Sequence, residues 1–60
     1  MNPELPQDPF MLLSFVNMKL RDQYATLDEF CQDLDVTQAQ LDEVLNPAGF
    51  EYNEEQHKYW

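Results

Sequence analysis

The chain has 60 residues, which make one domain at most and lie near the lower size limit for independent folding. Its net charge is −9, so its surface repels phosphate backbones and anionic lipid and favours basic partners. Cys31 is the single cysteine and His57 the single histidine. An intrachain disulfide is therefore excluded, a zinc site would need carboxylate ligands, and we expect no cofactor.

The beginning of the chain, MNPELPQDPF, has neither the basic segment nor the small-residue cleavage site of a secretory signal. The apolar run FMLLSFVNM is far shorter than the roughly 20 residues that cross a bilayer. A lone thiol also suits a reducing compartment. We therefore expect a cytoplasmic protein that makes no contact with a membrane.

Residues 1–8 contain two prolines among polar residues and are predicted to form an extended arm. The first helix is predicted to begin after this arm, because Asp8 suits the N-cap and Pro9 suits the first helical turn. We expect this helix to run to about Tyr24.

Two apolar stripes run along this first helix. Five residues share one broad face and form the predicted core stripe: Leu12, Leu13, Val16, Leu20 and Tyr24. Met11, Phe15 and Met18 fall together on roughly the opposite side. We predict that these three form an exposed or interface patch. The alternative is that the arm, through Leu5 and Pro6, or else Trp60, folds back over them.

The segment TLDEFCQDLDVTQAQLDEVL predicts two short helices joined by a tight turn, as in a helix-turn-helix. Thr26 and Thr37 each begin a capping-box pattern and should start the two helices. Asp35 is the predicted turn residue, because Asp tolerates a left-handed backbone conformation. Cys31 is the small residue at which the helices should cross, and we interpret it as a buried small hydrophobe.

The tail FEYNEEQHKYW alternates apolar and polar residues and predicts a short β-hairpin. NPAG should end helix 3, because the residue before a proline disfavours helical geometry and Gly49 can adopt a left-handed turn. Phe50, Tyr52 and Tyr59 should close the core from the hairpin side. The predicted fold is therefore mostly α, a single winged helix-turn-helix-like domain over residues 9–60 with three helices and a C-terminal hairpin.

The outer face of the predicted third helix opposes DNA binding. Its outward positions are predicted to be Gln38, Ala39, Asp42, Glu43 and Asn46. Proteins usually read bases with Arg, Lys, Asn or Gln on that face and place cations against the phosphates beside it. Three cations in the whole chain cannot supply the roughly 6–10 phosphate contacts that are usual. DNA is therefore not an expected partner.

No pattern of residues indicates catalysis. Cys31 has no Lys, Arg or His near it in sequence to favour a thiolate. His57 has no Ser or Cys nucleophile at a motif-like spacing, and we expect it to be exposed to solvent. A domain of this size also rarely encloses a pocket for a substrate. We therefore expect no enzymatic activity and no small-molecule substrate.

Three segments carry a resemblance to a known family: DPFMLLSFVNMKLRD, LDEFCQDLDV and GFEYNEE, within residues 8 to 60. In these segments the chain resembles the small bacterial proteins catalogued as domain of unknown function 4250. The resemblance implies a small bacterial protein but no activity, so no functional residue is carried over. NPAG departs from the family pattern, because its proline would shorten helix 3.

The function that the sequence favours is a non-catalytic interaction module. Such a module would self-associate, for example as a homodimer, or would dock a basic protein partner. The alternatives are a nucleic-acid-linked regulator of the helix-turn-helix type and an acidic mimic of DNA. No residue of the sequence identifies the partner.

Overall fold

The computed structural model describes residues 5–60. Three helices come first: α1 Pro9–Asp22, α2 Leu27–Asp33 and α3 Gln38–Leu45. A 3₁₀ turn, Asn46–Ala48, precedes two antiparallel strands, β1 Tyr52–Asn53 and β2 Lys58–Tyr59. This order confirms the predicted mostly helical domain with a C-terminal hairpin. Of the predicted N-terminal arm, residues 1–4 lie outside the described residues.

Side-chain caps define the starts of α1 and α3. The Asp8 carboxylate accepts hydrogen bonds from the N–H groups of Phe10 and Met11, each at 3.1 Å. Thr37 and Gln40 form a complete capping box, with N–H to side-chain distances of 3.0 and 3.1 Å. These bonds satisfy backbone donors that a helix start otherwise leaves unpaired.

The start of α2 departs from the predicted capping box. The Thr26 hydroxyl accepts from the Glu29 N–H at 3.1 Å, as the pattern predicts. The Glu29 carboxylate, however, accepts from the N–H of Ala25 at 3.2 Å, one residue upstream of the N-cap. The end of α1 also differs slightly from the prediction, since the helix ends at Asp22 and not near Tyr24.

Two left-handed residues end α2 and α3 in the predicted manner. Asp35 has a φ of 54°, which confirms it as the turn residue between α2 and α3. The Val36 N–H then donates to the Cys31 carbonyl at 3.0 Å, and Val36 enters the core. Gly49 has a φ of 95° and ends the 3₁₀ turn that follows α3.

The core is a single apolar cluster that all three helices and the hairpin share. Its buried members are Leu5, Leu12, Val16, Leu20, Leu27, Phe30, Val36, Leu41, Leu45 and Tyr59. The Phe30 ring is fully buried in this cluster and makes edge contact with Tyr24 and Phe15, at centroid distances of 5.7 and 6.2 Å. Leu5 precedes α1, so the end of the predicted arm contributes to the core that the helices build.

The hairpin register pairs Tyr52 with Tyr59 and Asn53 with Lys58. The turn closes through the His57 N–H, which donates to the Glu54 carbonyl at 3.3 Å. His57 has a φ of 57°, so it supplies the left-handed residue of this turn. The sequence contains no Asn-Gly or Asp-Gly pair that would have revealed that residue.

Candidate functional site

An open groove lies between α1 and the hairpin, with a volume of about 580 Å³. Its lining residues are Leu13, Ser14, Asn17, Met18, Arg21, Gln56, His57 and Lys58. The groove therefore combines apolar side chains with a small number of polar and cationic groups. This mixture is typical of clefts that bind a ligand or a short peptide.

Asn17 positions the two walls of this groove by holding β2 against α1. Its amide nitrogen donates to the Tyr59 carbonyl, and its amide oxygen accepts from the Tyr59 N–H, both at 2.9 Å. Within the hairpin, Glu51 and Trp60 form a hydrogen-bonded pair, in which each N–H donates to the other residue's carbonyl. Pairs alternate along an antiparallel ladder, so the next pair, Tyr52 and Tyr59, is not hydrogen-bonded, and the N–H and C=O of Tyr59 point away from β1. Asn17 therefore occupies the outer edge of β2 as a third strand would.

The charges of the chain are divided unevenly around this groove. Residues 23–57 contain nine of the twelve acidic residues and no Lys or Arg. The three cations are Lys19 and Arg21 on α1 and Lys58 on β2. Arg21 and Lys58 both line the groove, and no carboxylate lines it. The groove is therefore a cationic position on a strongly acidic molecule.

The two cations of the groove have different neighbours. The Arg21 guanidinium donates to the Asp22 carboxylate at 2.9 and 3.2 Å, and this hydrogen bond lowers the pKa of Asp22. This ion pair is solvent-exposed, so it contributes little to stability. The Lys58 ammonium lies 5.2 Å from the centroid of the Trp60 ring, within range of a cation–π interaction.

His57 lies at the hairpin end of the groove and is half-buried, which corrects the expectation of an exposed histidine. Its Nδ1 atom is 3.3 Å from the hydroxyl oxygen of Tyr52, across the hairpin turn. Burial raises the pKa of Tyr52.

The residues of the predicted interface patch do not share one environment. Met11 and Met18 are 63% and 46% exposed. Phe15 is half-buried, because one edge of its ring meets Phe30 and the Lys19 ammonium lies 5.6 Å from its centroid. Of the three, only Met18 lines the groove. Their role as an interface stays a prediction.

Phe10 and Asn17 were not singled out from the sequence. Phe10 is 65% exposed, and its ring meets Phe50 edge-on at 5.7 Å. Asn17 has one sequence signal, which is that it is the only amide in the apolar run FMLLSFVNM. Of the two groups named as possible covers of the patch, Trp60 is 58% exposed and Leu5 is buried in the core.

The predicted outer face of α3 is exposed at Gln38, Ala39 and Glu43. Asp42 departs from this expectation and is half-buried, because the Tyr59 hydroxyl donates to its carboxylate at 2.8 Å. Burial and, after it, the hydrogen bond to Asp42 raise the pKa of Tyr59 far above its ordinary range. Asp42 therefore joins α3 to the hairpin.

Cys31 packs against the core as predicted for a small hydrophobe, but it is half-buried where the sequence predicted a buried residue. Burial raises the pKa of its thiol, and the charges of Asp28 and Asp42 add to that effect. Among residues 5–60 no group of three or more Cys, His, Asp or Glu side chains is arranged to hold a metal ion. None of the helices in this part of the chain is long and apolar enough to span a membrane.

A family model described as Domain of unknown function (DUF4250) matches residues 6–59 of the chain. The chain belongs to this family. The resemblance seen in the three segments of the sequence is thereby confirmed. No curated protein and no solved structure matches the chain.

The family match spans every residue that lines the groove, together with the Asn17–Tyr59 contact. The DUF4250 description assigns no activity and no functional residue. In this member of the family, the uneven charge and the groove both make one part of the surface differ from another.

Proposed function

We propose that the protein is a non-catalytic interaction module that docks a basic protein on its acidic side. That side is made by α2, α3 and the turn between them, with the carboxylates Asp28, Glu29, Asp33, Asp35, Asp42 and Glu43. The observation that carries the proposal is the charge of this segment, since residues 23–45 hold six acidic residues and no Lys or Arg. A surface of one sign steers partners of the opposite sign and rejects others.

The carboxylates of this acidic side fall into two groups. Three accept hydrogen bonds from the fold: Glu29 from Ala25, Asp33 from Tyr24 and Asp42 from Tyr59. Asp28, Asp35 and Glu43 are exposed, and none of them makes a side-chain hydrogen bond within the described residues. These three are therefore the carboxylates best placed to meet Lys or Arg side chains of a partner.

Self-association through α1 is less well supported than docking of a basic protein. The partial burial of Phe15 leaves Met11 and Met18 as the exposed members of the predicted patch. Two copies that each carry a net charge of −9 also repel one another. The same charge favours a basic partner.

Binding to DNA through α3 is not favoured either. The exposed positions Gln38, Ala39 and Glu43 provide no cation for phosphates, and Glu43 adds a negative charge. An acidic mimic of DNA would be one special case of the proposed module, in which the basic partner is itself a DNA-binding protein.

A charge-removing variant tests the proposal. Asp28→Asn, Asp35→Asn and Glu43→Gln together remove three charges while keeping the shape of each side chain, and Asn tolerates the left-handed backbone of Asp35. The immobilised parent protein should retain a basic protein from a native cell extract at low salt and release it at high salt. We expect the triple variant to lose that protein.

A matched control removes the same charge from the hairpin, through Glu51→Gln, Glu54→Gln and Glu55→Gln. We expect this control to retain the partner. Equal loss from both triple variants would indicate a response to net charge alone, and full retention by the first triple variant would contradict the proposal.

A further inference from the structure

The groove between α1 and the hairpin differs in charge from two other depressions of the described surface. A depression of about 300 Å³ between α2 and the hairpin is lined by Asp28 and Glu54, and another of about 460 Å³ by Glu29 and Asp33. Neither has a Lys or Arg in its lining. The groove has Arg21 and Lys58 and no carboxylate in its lining, although Arg21 also pairs with Asp22 beside it. An anionic ligand would therefore meet cations in the groove and carboxylates in the two depressions.

We infer that this groove binds an acidic, extended peptide segment of a partner protein, with carboxylates at Arg21 and Lys58 and an aliphatic side chain on Leu13 and Met18. Carboxylates form charge-assisted hydrogen bonds with guanidinium and ammonium groups. Met side chains adapt to varied apolar surfaces, and Met18 is 46% exposed. The residues that line the groove differ from the carboxylates proposed to bind a basic protein. Either binding proposal can therefore be wrong while the other holds.

The walls of the groove are held by contacts within the fold. Asn17 makes two hydrogen bonds to Tyr59, so the hairpin cannot separate from α1 without breaking both. Lys58 lies beside Tyr59 in the chain and against the ring of Trp60. A site with ordered walls loses less conformational entropy when a ligand binds.

The size and charge of the groove favour a peptide over other anionic occupants. A volume of about 580 Å³ admits a few residues of extended chain. A nucleic acid extends beyond such a groove and meets the negative field of the rest of the molecule. A second copy of this chain presents its carboxylates on folded helices and carries the same net charge of −9. A short acidic segment can contact Lys58 and the Arg21–Asp22 pair while it remains within the groove.

Titration with a defined peptide tests the inference directly. The probe is acetyl-Glu-Leu-Asp-Leu-Glu-amide, added to isotope-labelled full-length protein while NMR signals are followed. We expect shifts at the Met18 methyl group, at Ser14 and at Lys58, with a dissociation constant in the micromolar to millimolar range. The uncharged analogue acetyl-Gln-Leu-Asn-Leu-Gln-amide should bind more weakly, because it makes no charge-assisted hydrogen bonds.

Substitution of single cations locates the site. Lys58→Gln and Arg21→Gln should each weaken binding of the acidic peptide by up to about fivefold, which corresponds to about 1 kcal/mol for one exposed ion pair. Lys19→Gln removes the same charge from α1 outside the groove lining and should leave the affinity almost unchanged. Thermal unfolding of each variant shows whether it retains the parent fold.

Several results would overturn the inference. They are the lack of groove shifts at millimolar peptide, equal binding of the charged and uncharged peptides, and an equal loss of affinity in the Lys19→Gln variant. Inorganic phosphate that produced the same shifts would make the groove a simple anion site. Shifts of the same signals on concentrating the protein without peptide would assign the groove to a second copy of this chain.

Discussion

At the scale of single residues, Tyr59 makes the most connected set of contacts. Its backbone pairs with Asn17 of α1, its hydroxyl donates to Asp42 of α3, and its ring lies 5.3 Å from that of Tyr52. The side chain is 1% exposed, so its hydroxyl depends on the Asp42 carboxylate for a hydrogen-bond partner. Asp42, which the sequence predicted to face solvent, therefore stabilises the buried phenol of Tyr59.

We predict that Tyr59 makes the fold sensitive to alkaline pH. Its pKa is raised in the folded state, so above about pH 10 the folded chain keeps a proton that the unfolded chain loses. The free energy of unfolding should then fall by up to about 1.4 kcal/mol per pH unit for this one group. Denaturant midpoints measured between neutral pH and about pH 11 give the slope.

The matched variant for this measurement is Tyr59→Phe. It should lower stability near neutral pH, because the half-buried Asp42 carboxylate loses its hydrogen-bond donor. It should also flatten the alkaline slope, although Tyr24 and Tyr52, whose pKa values are raised as well, keep part of it. An unchanged slope would assign the alkaline loss of stability to other groups.

Asp35 is the left-handed residue of the turn between α2 and α3. Asp35→Gly should stabilise the domain by about 0.5–1 kcal/mol or be neutral, because Gly adopts a φ of 54° without strain but also makes the unfolded chain more flexible. Asp35→Val should destabilise it, because β-branched residues tolerate that conformation worst. Thermal melting of both variants decides the matter. Equal melting temperatures for Gly and Val would mean that the turn does not constrain the fold.

At the scale of elements, contacts between near neighbours in sequence were predictable and long-range contacts were not. The helix caps at Asp8, Thr26 and Thr37 could be predicted from the sequence, because each involves residues within three positions of one another. The same locality made Asp35 recognisable. The Asn17–Tyr59 contact joins residues 42 positions apart, so nothing in a local pattern indicates it.

Because Asn17 joins α1 to β2, we predict that Asn17→Ala destabilises the domain by about 1–3 kcal/mol. The Tyr59 N–H and C=O would lose their partners in a partly buried position, and each unsatisfied group carries a desolvation cost. Ser14→Ala, one turn earlier on α1 and exposed, is the control and should change stability little. Urea unfolding followed by circular dichroism compares the two.

Asn17→Asp separates the two hydrogen bonds of this contact. Aspartate can still accept a hydrogen bond from the Tyr59 N–H. Its second carboxylate oxygen, however, has no proton to donate to the Tyr59 carbonyl, so that hydrogen bond is lost and two oxygen atoms face each other. We expect this variant to be less stable than the parent. If Asn17→Ala and Ser14→Ala had equal effects, the amide would be unimportant for docking the hairpin.

At the scale of the whole molecule, the sequence predicted net charge but not its arrangement in space. The helical wheel placed Phe15 with Met11 and Met18, yet Phe15 is half-buried, because α2 brings Phe30 against its ring. The groove could not be predicted either, because its walls come from two ends of the chain that only the tertiary fold brings together. Composition gives the number of each residue type, whereas a binding site depends on which residues the fold brings into contact.

From the same arrangement of charge, we predict that the protein does not bind duplex DNA at physiological salt. Nonspecific affinity for DNA comes from releasing the counterions of the phosphates, and each contact needs a Lys or Arg. Arg21 and Lys58 are the only cations in the groove lining, and the exposed positions of α3, Gln38, Ala39 and Glu43, provide none. Fluorescence polarisation with labelled duplexes at low and physiological salt measures the affinity. Sub-micromolar binding that weakens as salt is added would contradict the prediction and would return α3 to consideration as a DNA-reading helix.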